Sequence, residues 1–157
     1  MIAILTQCFP SRIGGIESLM SNLSLCLSDK YEVVVFADRY NFFQDGIYDN
    51  KVKDNLLIRR TGGIKFFRRR KKIKELKPLL LSGKISCVIA DSWKSLELCS
   101  EFLVNKKVPT ICLAHGNELL NETSKKNLKV FNVLNNTNVV VANSDYTLNL
   151  VKKIGLK

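Results

Sequence analysis

The sequence has few of the residues that build metal sites, disulfide frameworks or membrane spans. Among its 157 residues there is one histidine, His115, and there is no Asp-x-Asp or Cys-x-x-Cys pair, so the sequence predicts no metal ion. The cysteines are odd in number and lie in apolar stretches, which predicts buried free thiols in a reducing compartment. No apolar run reaches about 18 residues, and the opening MIAILTQ lacks the basic region of a signal peptide. We therefore expect a cytoplasmic protein, at most peripheral at the inner face of a membrane; its cysteines are Cys8, Cys26, Cys87, Cys99 and Cys112.

Acidic residues are scarce. Fourteen Asp and Glu stand against 25 Lys and Arg, which gives a formal net charge of +11. A surplus of this size favours a partner of opposite sign and does not choose among nucleic acid, an anionic membrane and a phosphorylated substrate. The length suits one domain, residues 1–157, whose core buries roughly 68–70% of the surface of the unfolded chain.

Short apolar runs rich in β-branched residues alternate with amphipathic segments. Nearly continuous apolar runs are typical of parallel strands that are covered on both faces. The alternation predicts an α/β fold of the Rossmann-like, doubly wound type, with a mostly parallel sheet and helices on both faces. The predicted strands are Ile2–Leu5, Glu32–Ala37, Leu56–Arg60, Ile85–Ala90, Thr110–Ala114 and Asn138–Ala142.

The clearest helical pattern covers Ile16–Leu27, where apolar residues recur at the spacing of one buried helix face. The members of this predicted stripe are Ile16, Leu19, Met20, Leu23 and Leu27. Further helices are predicted over Phe66–Leu81, Ser92–Leu103, Ser124–Leu134 and Tyr146–Ile154, and Asn41–Asn55 is predicted as the one long loop.

In a sheet of this kind, ligands bind beyond the carboxyl ends of the strands. The loop after the first strand contains Gly14 and Gly15 at the start of the strongest helix, where free N–H groups and the helix dipole favour an anion. Arg12 is a candidate for a charge-assisted contact with phosphate. The loop is neither a GxGxxG nor a Walker A motif, so a tight strand-to-helix turn, with Glu17 favouring the first helical turn, explains it equally well.

His115 is the candidate for chemistry. It follows the fifth strand in the string His115-Gly-Asn-Glu118, where an imidazole can hydrogen-bond a hydroxyl or a phosphate oxygen. No Ser or Cys is placed to form a nucleophilic triad with it. The pairs Asp91–Ser92 and Asn143–Ser144 follow two other strands and are first of all helix N-caps, with ligand contact as the second interpretation.

The segment 65–77 holds eight Lys or Arg in thirteen residues. On a helical wheel its apolar residues share one face, while Arg68, Lys71, Lys72 and Lys74 lie away from it. A helix with a solvated basic face explains the apolar stripe but not the charge density, whereas an anionic leaflet gains about 1 kcal/mol per Lys or Arg. Pro78 is expected to kink or end this helix. The residues predicted at a membrane surface are Lys65, Arg68, Arg69, Arg70, Lys71, Lys72 and Lys74.

The opening ILTQCFPSRIGGIESLMSNLSLCLS, followed by VVVFAD, resembles that of family-four glycosyltransferases, which are retaining enzymes with the GT-B fold. The strings VIADSW, ICLAHGNELL and VVANSDYTLNLVKKIGL agree with that family in order and spacing. Together these pieces span nearly the whole chain. Gly14-Gly15, His115-Gly-x-Glu118 and Asn143-Ser144 are moderately specific as a set.

The resemblance implies that the chain is the acceptor-binding, N-terminal half of a GT-B fold, while a second domain holds most of a nucleotide-sugar donor. His115 would then lie beside the transferred sugar as the catalytic residue. The acceptor is expected to be a lipid-linked or cell-surface glycan, and no cofactor is expected besides the donor substrate. The residues expected to bind donor phosphates or acceptor are Arg12, Gly14, Gly15, Glu118, Asn143 and Ser144.

The chain stops near the point where this family enters its donor-binding domain, so we expect it to be inactive or incomplete alone, with that domain supplied by another chain if the enzyme is split. Two other hypotheses remain open. One is a non-catalytic basic module that binds an anionic membrane or nucleic acid through residues 65–77, although no RNP1-type motif supports RNA. The other is an independent nucleotide-binding enzyme, which the glycine loop does not support.

Overall fold

The computed structural model describes residues 1–120 and 124–156. Within them the strands are β1 (Ile2–Leu5), β2 (Val33–Asp38), β3 (Leu56–Thr61), β4 (Cys87–Ala90), β5 (Thr110–Ala114) and β6 (Val139–Ala142). They form a sheet in the order β3-β2-β1-β4-β5-β6, and every neighbouring pair is parallel. The helices are α1 (Gly15–Ser28), α2 (Phe42–Asp49), α3 (Lys65–Leu81), α4 (Trp93–Leu96), α5 (Ser100–Asn105), α6 (Ser124–Asn135) and α7 (Asp145–Lys153). The predicted Rossmann-like fold is confirmed.

Two apolar clusters lie on opposite faces of the sheet, because successive side chains of a strand alternate between its faces. Leu5 and Phe36 belong to the larger cluster, which includes residues of α3, α4, α6 and α7. Ile4 and Val35 belong to the smaller cluster, which includes Met20 of α1. The central strands are therefore covered on both sides, which explains why they are almost entirely apolar.

The predicted buried stripe of α1 is wrong in part. Leu19 is 45% exposed, whereas Met20 is fully buried. The remaining buried positions of this helix are polar, and Ser24 satisfies its hydroxyl by donating to the Ser21 carbonyl at 2.8 Å. Small serines allow α1 to lie close to the sheet, so apolarity alone misplaces its inner face. The buried polar residues of α1 are Glu17, Ser21, Ser24 and Ser28.

The segment predicted as one long loop contains a helix, α2. The Asn41 side chain caps it by accepting from the N–H groups of Phe43 and Gln44, each at 3.1 Å. Its apolar residues are largely exposed, with Phe43 80% accessible, so the segment shows no apolar stripe of the usual kind. Two acidic side chains hold α2 against the protein instead.

Arg60 of β3 is the centre of that attachment. Its buried guanidinium lies 3.3 Å from Asp45 Oδ1 and 2.8 Å from Asp49 Oδ1, and it donates to the Pro10 carbonyl. Ser11 Oγ donates to Asp45 Oδ1 at 2.7 Å. These contacts join α2 to β3 and to the loop after β1.

The pKa of Asp45 is lowered from its ordinary value of 3.8. Burial alone would raise this pKa, but hydrogen bonds from Ser11 and from the Tyr40 N–H, together with the positive charge of Arg60, outweigh it. A carboxyl whose pKa is lower in the folded state stabilises the fold above its unfolded pKa and loses that effect as the pH falls through the folded pKa.

We predict that Asp45→Asn lowers the free energy of unfolding by about 2–3 kcal/mol at pH 7, because it removes a charged acceptor of several hydrogen bonds. The difference from wild type should shrink below about pH 4, where the carboxyl becomes protonated. Urea denaturation at pH 7 and pH 3 measures both quantities. The exposed Asp54→Asn is the matched control; an equal loss in both variants would contradict the prediction.

The helical-wheel interpretation of Lys72 is also wrong. Lys72 is only 4% exposed, and its Nζ lies 2.6 Å from Asp38 Oδ1 and donates to the Thr6 carbonyl at 2.7 Å. Arg68 Nη1 lies 3.3 Å from the other oxygen of Asp38, and Arg69 pairs with Glu97. These three cations attach α3 to the protein. The cations of the predicted membrane surface that are exposed are Lys65, Arg70, Lys71 and Lys74.

Lys72 and its exposed neighbour Lys71 allow a matched test. We predict that Lys72→Ala lowers the free energy of unfolding by about 3 kcal/mol, because it removes the closer of the two cations from the buried Asp38 carboxylate and leaves only Arg68 beside it. Lys71→Ala should change it by no more than about 0.5 kcal/mol. Chemical denaturation of the two variants measures the difference. Similar losses in both would contradict the conclusion that Lys72 is a buried ion-pair partner of Asp38.

The helix α3 begins one residue before the predicted Phe66–Leu81 and ends at the predicted Leu81, before Gly83, whose φ of +70° favours glycine. It continues through Pro78, so the expectation that Pro78 could end it is wrong. Pro78 is tolerated on an exposed face, where water can satisfy the carbonyl left without a donor. Two other features differ from the predictions. The predicted helix Ser92–Leu103 is divided into α4 and α5. At the sheet edge, alternate residues of β6 are exposed, so the expected cover on both faces is missing there.

None of the helices in the described residues has the length and apolarity that crossing a membrane requires.

Candidate active site

The loop with Gly14 and Gly15 follows β1, and His115 follows β5. Because all six strands are parallel, both lie beyond the same, carboxyl edge of the sheet, as the sequence predicts. Only β4 stands between β1 and β5. The residue that follows β4, Asp91, connects the two sides.

Asp91 is buried and has both carboxylate oxygens occupied. Its Oδ2 accepts from Thr6 Oγ1 and from the Gln7 N–H, each at 2.8 Å, so it holds the start of the glycine loop. Its Oδ1 accepts from Ser95 Oγ at 2.6 Å and from Ser92 Oγ at 3.2 Å, at the beginning of α4. The interpretation of Asp91 as a simple N-cap is therefore incomplete: it joins β1, β4 and α4.

His115 is half-buried and lies next to Asp91. Its Nε2 lies 2.9 Å from the Asp91 carbonyl oxygen, and since a carbonyl can only accept, Nε2 carries the hydrogen. In the neutral ring Nδ1 is then the acceptor nitrogen, and no protein group of the described residues bonds to it. The imidazole is fixed at one nitrogen and available to a ligand at the other.

Glu118 stabilises the turn that carries His115. Its Oε1 accepts from the His115 N–H at 2.7 Å, and its carbonyl accepts from Trp93 Nε1 at 3.2 Å. Trp93 is buried at the start of α4. Glu118 is therefore engaged with the protein through one carboxylate oxygen, in addition to any part in ligand binding.

Asn143 and Ser144 come close to the same turn. The Asn143 N–H donates to the carbonyl of Ala114, and Ser144 caps α7 by accepting from the Thr147 N–H at 3.2 Å. Gly116 has a φ of +100°, and a Cβ there would lie 3.0 Å from Thr147 Oγ1. The close approach of the His115 turn to α7 thus requires glycine.

The glycine loop contains its own anion. Glu17 in the first turn of α1 is buried, lies against Gly14 so closely that a Cβ on this glycine would clash with the carboxylate, and pairs with Arg12 at 3.0 Å. The protein's own carboxylate thus lies at the helix end where the sequence suggests a ligand phosphate. Glu17 brings Arg12 and Gly14 together, whereas the hydrogen-bond partners of His115 are Asp91 and Glu118.

A second group of residues lies on the other side of β1. A pocket of about 230 Å³ opens beyond the carboxyl ends of β1 and β2 and reaches α3, and we call it the basic pocket. Four of its lining side chains are cations, and Asp38 is its one carboxylate. The basic pocket is lined by Gln7, Cys8, Phe9, Arg12, Asp38, Arg39, Tyr40, Lys65 and Arg68.

The cysteines are free thiols, but the prediction that they are buried holds only for Cys99 and Cys112. Burial and the nearby Asp91 and Glu17 carboxylates raise the pKa of Cys8 to about 11, so its thiol stays protonated near neutral pH. Burial also raises the pKa of Cys99 to about 12 and that of Cys112 further still. Cys8 and Cys87 are only half-buried and Cys26 is exposed on α1, against the prediction that the cysteines are buried. None of these positions brings a reactive thiolate to the edge with His115.

Within the described residues, no three His, Cys, Asp or Glu side chains gather in a way that could hold a metal ion.

The fold as a whole resembles that of a solved glycosyltransferase. The Anabaena protein HepE, determined in complex with UDP, superposes on 99% of this chain with a TM-score of 0.70 and 14% sequence identity. The matched part is 41% of HepE, so the chain spans less than half the length of that protein. At this identity the similarity shows the fold alone. The chain has the fold of one half of a GT-B glycosyltransferase.

The family follows from the sequence itself. A family model described as Glycosyltransferase Family 4 matches residues 13–157. The chain therefore belongs to glycosyltransferase family 4, and the predicted resemblance is confirmed. No curated protein matches the chain.

Sequence reasoning identified His115 and the loops around it but missed two parts of the arrangement. Asp91 makes most of the hydrogen bonds at the carboxyl edge of the sheet. Its position in the sequence could have indicated this role, since it directly follows a buried strand at that edge. Arg39 lines the basic pocket but stands in the sequence between a strand and a segment predicted as loop, where nothing distinguishes it from other surface arginines.

Proposed function

We propose that this chain forms the acceptor-binding half of an enzyme that transfers a sugar from a nucleotide-sugar to a glycan acceptor that is lipid-linked or on the cell surface. Membership of glycosyltransferase family 4 supports the reaction class. The UDP bound to HepE is consistent with a nucleotide-sugar donor. We further propose that residues 1–157 act together with a donor-binding domain and are inactive without it.

The observation that carries this proposal is the state of His115. The Asp91 carbonyl fixes its Nε2–H, and its Nδ1 is left to accept a hydrogen bond from a substrate hydroxyl. A ring held in one orientation can hydrogen-bond the transferred sugar without a loss of side-chain entropy at that moment. Asp91, Glu118 and Trp93 act through His115 as positioning residues. Gly14, Gly15, Asn143 and Ser144 would line the same cleft as binding residues.

We predict that His115→Ala lowers kcat by about 100–1000-fold in the enzyme that this chain forms with a donor-binding domain, because a preorganised hydrogen bond to the transition state is lost. The free energy of unfolding should fall by only about 0.5–1.5 kcal/mol, the contribution of one hydrogen bond. Sugar-transfer kinetics and chemical denaturation measure the two effects. The control is Asn105→Ala, at an exposed position at the end of α5. Unchanged turnover in His115→Ala would contradict the assignment of His115 to the active site.

We also propose that the exposed side of α3 contacts an anionic membrane surface. Phe66 and Phe67 at its start are exposed, and Arg70 lies over the Phe66 ring at 3.6 Å. Between α3 and the segment after α4 runs an open groove of about 500 Å³ with apolar side chains and a basic rim. Its apolar side chains are Ile73, Pro78, Leu81 and Leu98, and its basic ones are Arg70, Lys74 and Lys77. A surface with these two properties suits a lipid headgroup region better than the unstacked bases of RNA.

Arg68, Arg69 and Lys72 pair with carboxylates of the protein, so the variant that tests the membrane contact changes only exposed cations of α3. We predict that the triple change Arg70→Ser, Lys71→Ser, Lys74→Ser weakens binding to phosphatidylserine vesicles by roughly two orders of magnitude, about 1 kcal/mol per charge. Co-sedimentation at several salt concentrations measures it.

The charge-matched control changes Lys30, Lys51 and Lys84, three exposed lysines outside α3, to Ser. Equal losses in the two triple variants would mean that only net charge matters. Tighter binding of labelled RNA than of vesicles, lost in the α3 variant, would favour the alternative of a nucleic-acid-binding module.

A further inference from the structure

The basic pocket carries more positive charge than its protein partners neutralise. Arg12 is paired with Glu17, and Asp38 is paired with Lys72 at 2.6 Å. Arg68 shares the same Asp38 at 3.3 Å, and its buried Nε has no hydrogen-bond partner. Arg39 and Lys65 have no carboxylate within 4.0 Å among the described residues. About three positive charges of this pocket are left without a counter-charge.

The helix end that faces the pocket adds to this excess. The N-cap of α3, Ile64, offers no side-chain hydrogen bond, and the first turn contains Lys65 and no acidic residue. Cations are unfavourable at the positive end of a helix dipole. By contrast, α2 and α7 have side-chain caps and an acidic residue in the first turn. An anion bound beside Lys65 would supply the negative charge that the first turn of α3 lacks.

The surroundings indicate where such an anion comes from. Two exposed aromatic pairs lie close in the sequence to lining residues of the pocket: Phe42–Phe43 begins two residues after Tyr40, and Phe66–Phe67 directly follows Lys65. Exposed aromatic side chains beside cations are typical of surfaces that lie in a membrane interface. The pocket volume of about 230 Å³ is below the roughly 300–1,000 Å³ that encloses a drug-sized ligand, so it suits a compact group.

We propose that the basic pocket binds a phosphate or diphosphate group through Arg39, Lys65 and Arg68, and that this group belongs to the acceptor and is presented at a membrane surface. The proposal rests on the proposed function only in assigning the phosphate to the acceptor. The pocket lies at the carboxyl edge on the side of β1 away from His115, so the bound phosphate and the transferred sugar would occupy different parts of the same edge. The site is thus a recognition site for an anionic acceptor.

Binding of inorganic pyrophosphate to the purified chain tests the pocket without any need for sugar transfer. We expect calorimetry to detect saturable binding that weakens as salt increases, and thermal denaturation to show a rise in Tm with pyrophosphate. The double change Arg39→Ser, Lys65→Ser should weaken binding by about tenfold or more, the equivalent of at least one charge-assisted hydrogen bond. Both residues are exposed and make no ion pair with a described carboxylate, so the variant keeps the fold.

The control double change Lys30→Ser, Lys84→Ser removes the same charge from exposed positions outside the pocket. Unchanged pyrophosphate affinity in this control, with loss in the pocket variant, supports the site. Absence of binding to wild type, or equal losses in both double variants, overturns it. These outcomes are independent of transfer activity, so failure of the proposed function and failure of the pocket are distinguishable.

Vesicles and UDP separate the sources of the phosphate. Vesicles with phosphatidic acid expose a phosphate monoester, whereas phosphatidylserine vesicles of equal charge density do not. We expect the wild-type chain to prefer phosphatidic acid and the Arg39→Ser, Lys65→Ser variant to lose this preference while still binding phosphatidylserine through α3. Loss of UDP binding in the same variant, with no change on vesicles, would assign the pocket to the donor and contradict the acceptor assignment.

Discussion

The hydrogen bonds of the Asp91 carboxylate determine the arrangement at the carboxyl edge. One oxygen holds Thr6 and the Gln7 N–H after β1, and the other holds two serine hydroxyls at α4. The carbonyl of the same residue orients His115. A buried carboxylate with several donors stabilises its position more than a neutral acceptor could, since charge-assisted bonds are about twice as strong. The loops after β1, β4 and β5 are therefore fixed relative to one another by a single residue, through its carboxylate and its backbone carbonyl.

The cations of this basic protein are of two kinds. The side chains of Arg60 and Lys72 are buried, and their ion pairs with acidic residues attach α2 and α3 to the rest of the protein. Lys71 and Lys74, on the same helix as Lys72, are exposed and supply the long-range field. Only the second kind is available to a membrane or a phosphate, because a buried pair is already neutral. Net charge alone thus overstates the basic surface.

The sequence was sufficient for the sheet because parallel strands buried on both faces have to be apolar, and all six strands were placed within two residues of their observed bounds. It was insufficient where polar contacts replace apolar ones. The inner face of α1 is made of serines and Glu17, and α2 is held by Asp45 and Asp49, so neither shows the expected stripe. For the site, the position of His115 at the edge follows from strand order. The pairing of Lys72 with Asp38 does not, since it depends on the rotation of α3.

The strand β6 has a consequence for the behaviour of the chain in solution. It pairs only with β5 among the described strands, and it exposes Val139 and Val141 without a charged residue or a proline in the strand. An edge of this kind is a template onto which another extended segment can add. At low ionic strength the net charge of +11 keeps copies apart, whereas salt shortens the range of that repulsion to about 8–10 Å near physiological concentrations. Charge repulsion therefore protects the isolated chain from aggregation through β6. This protection weakens as the salt concentration approaches that of a cell.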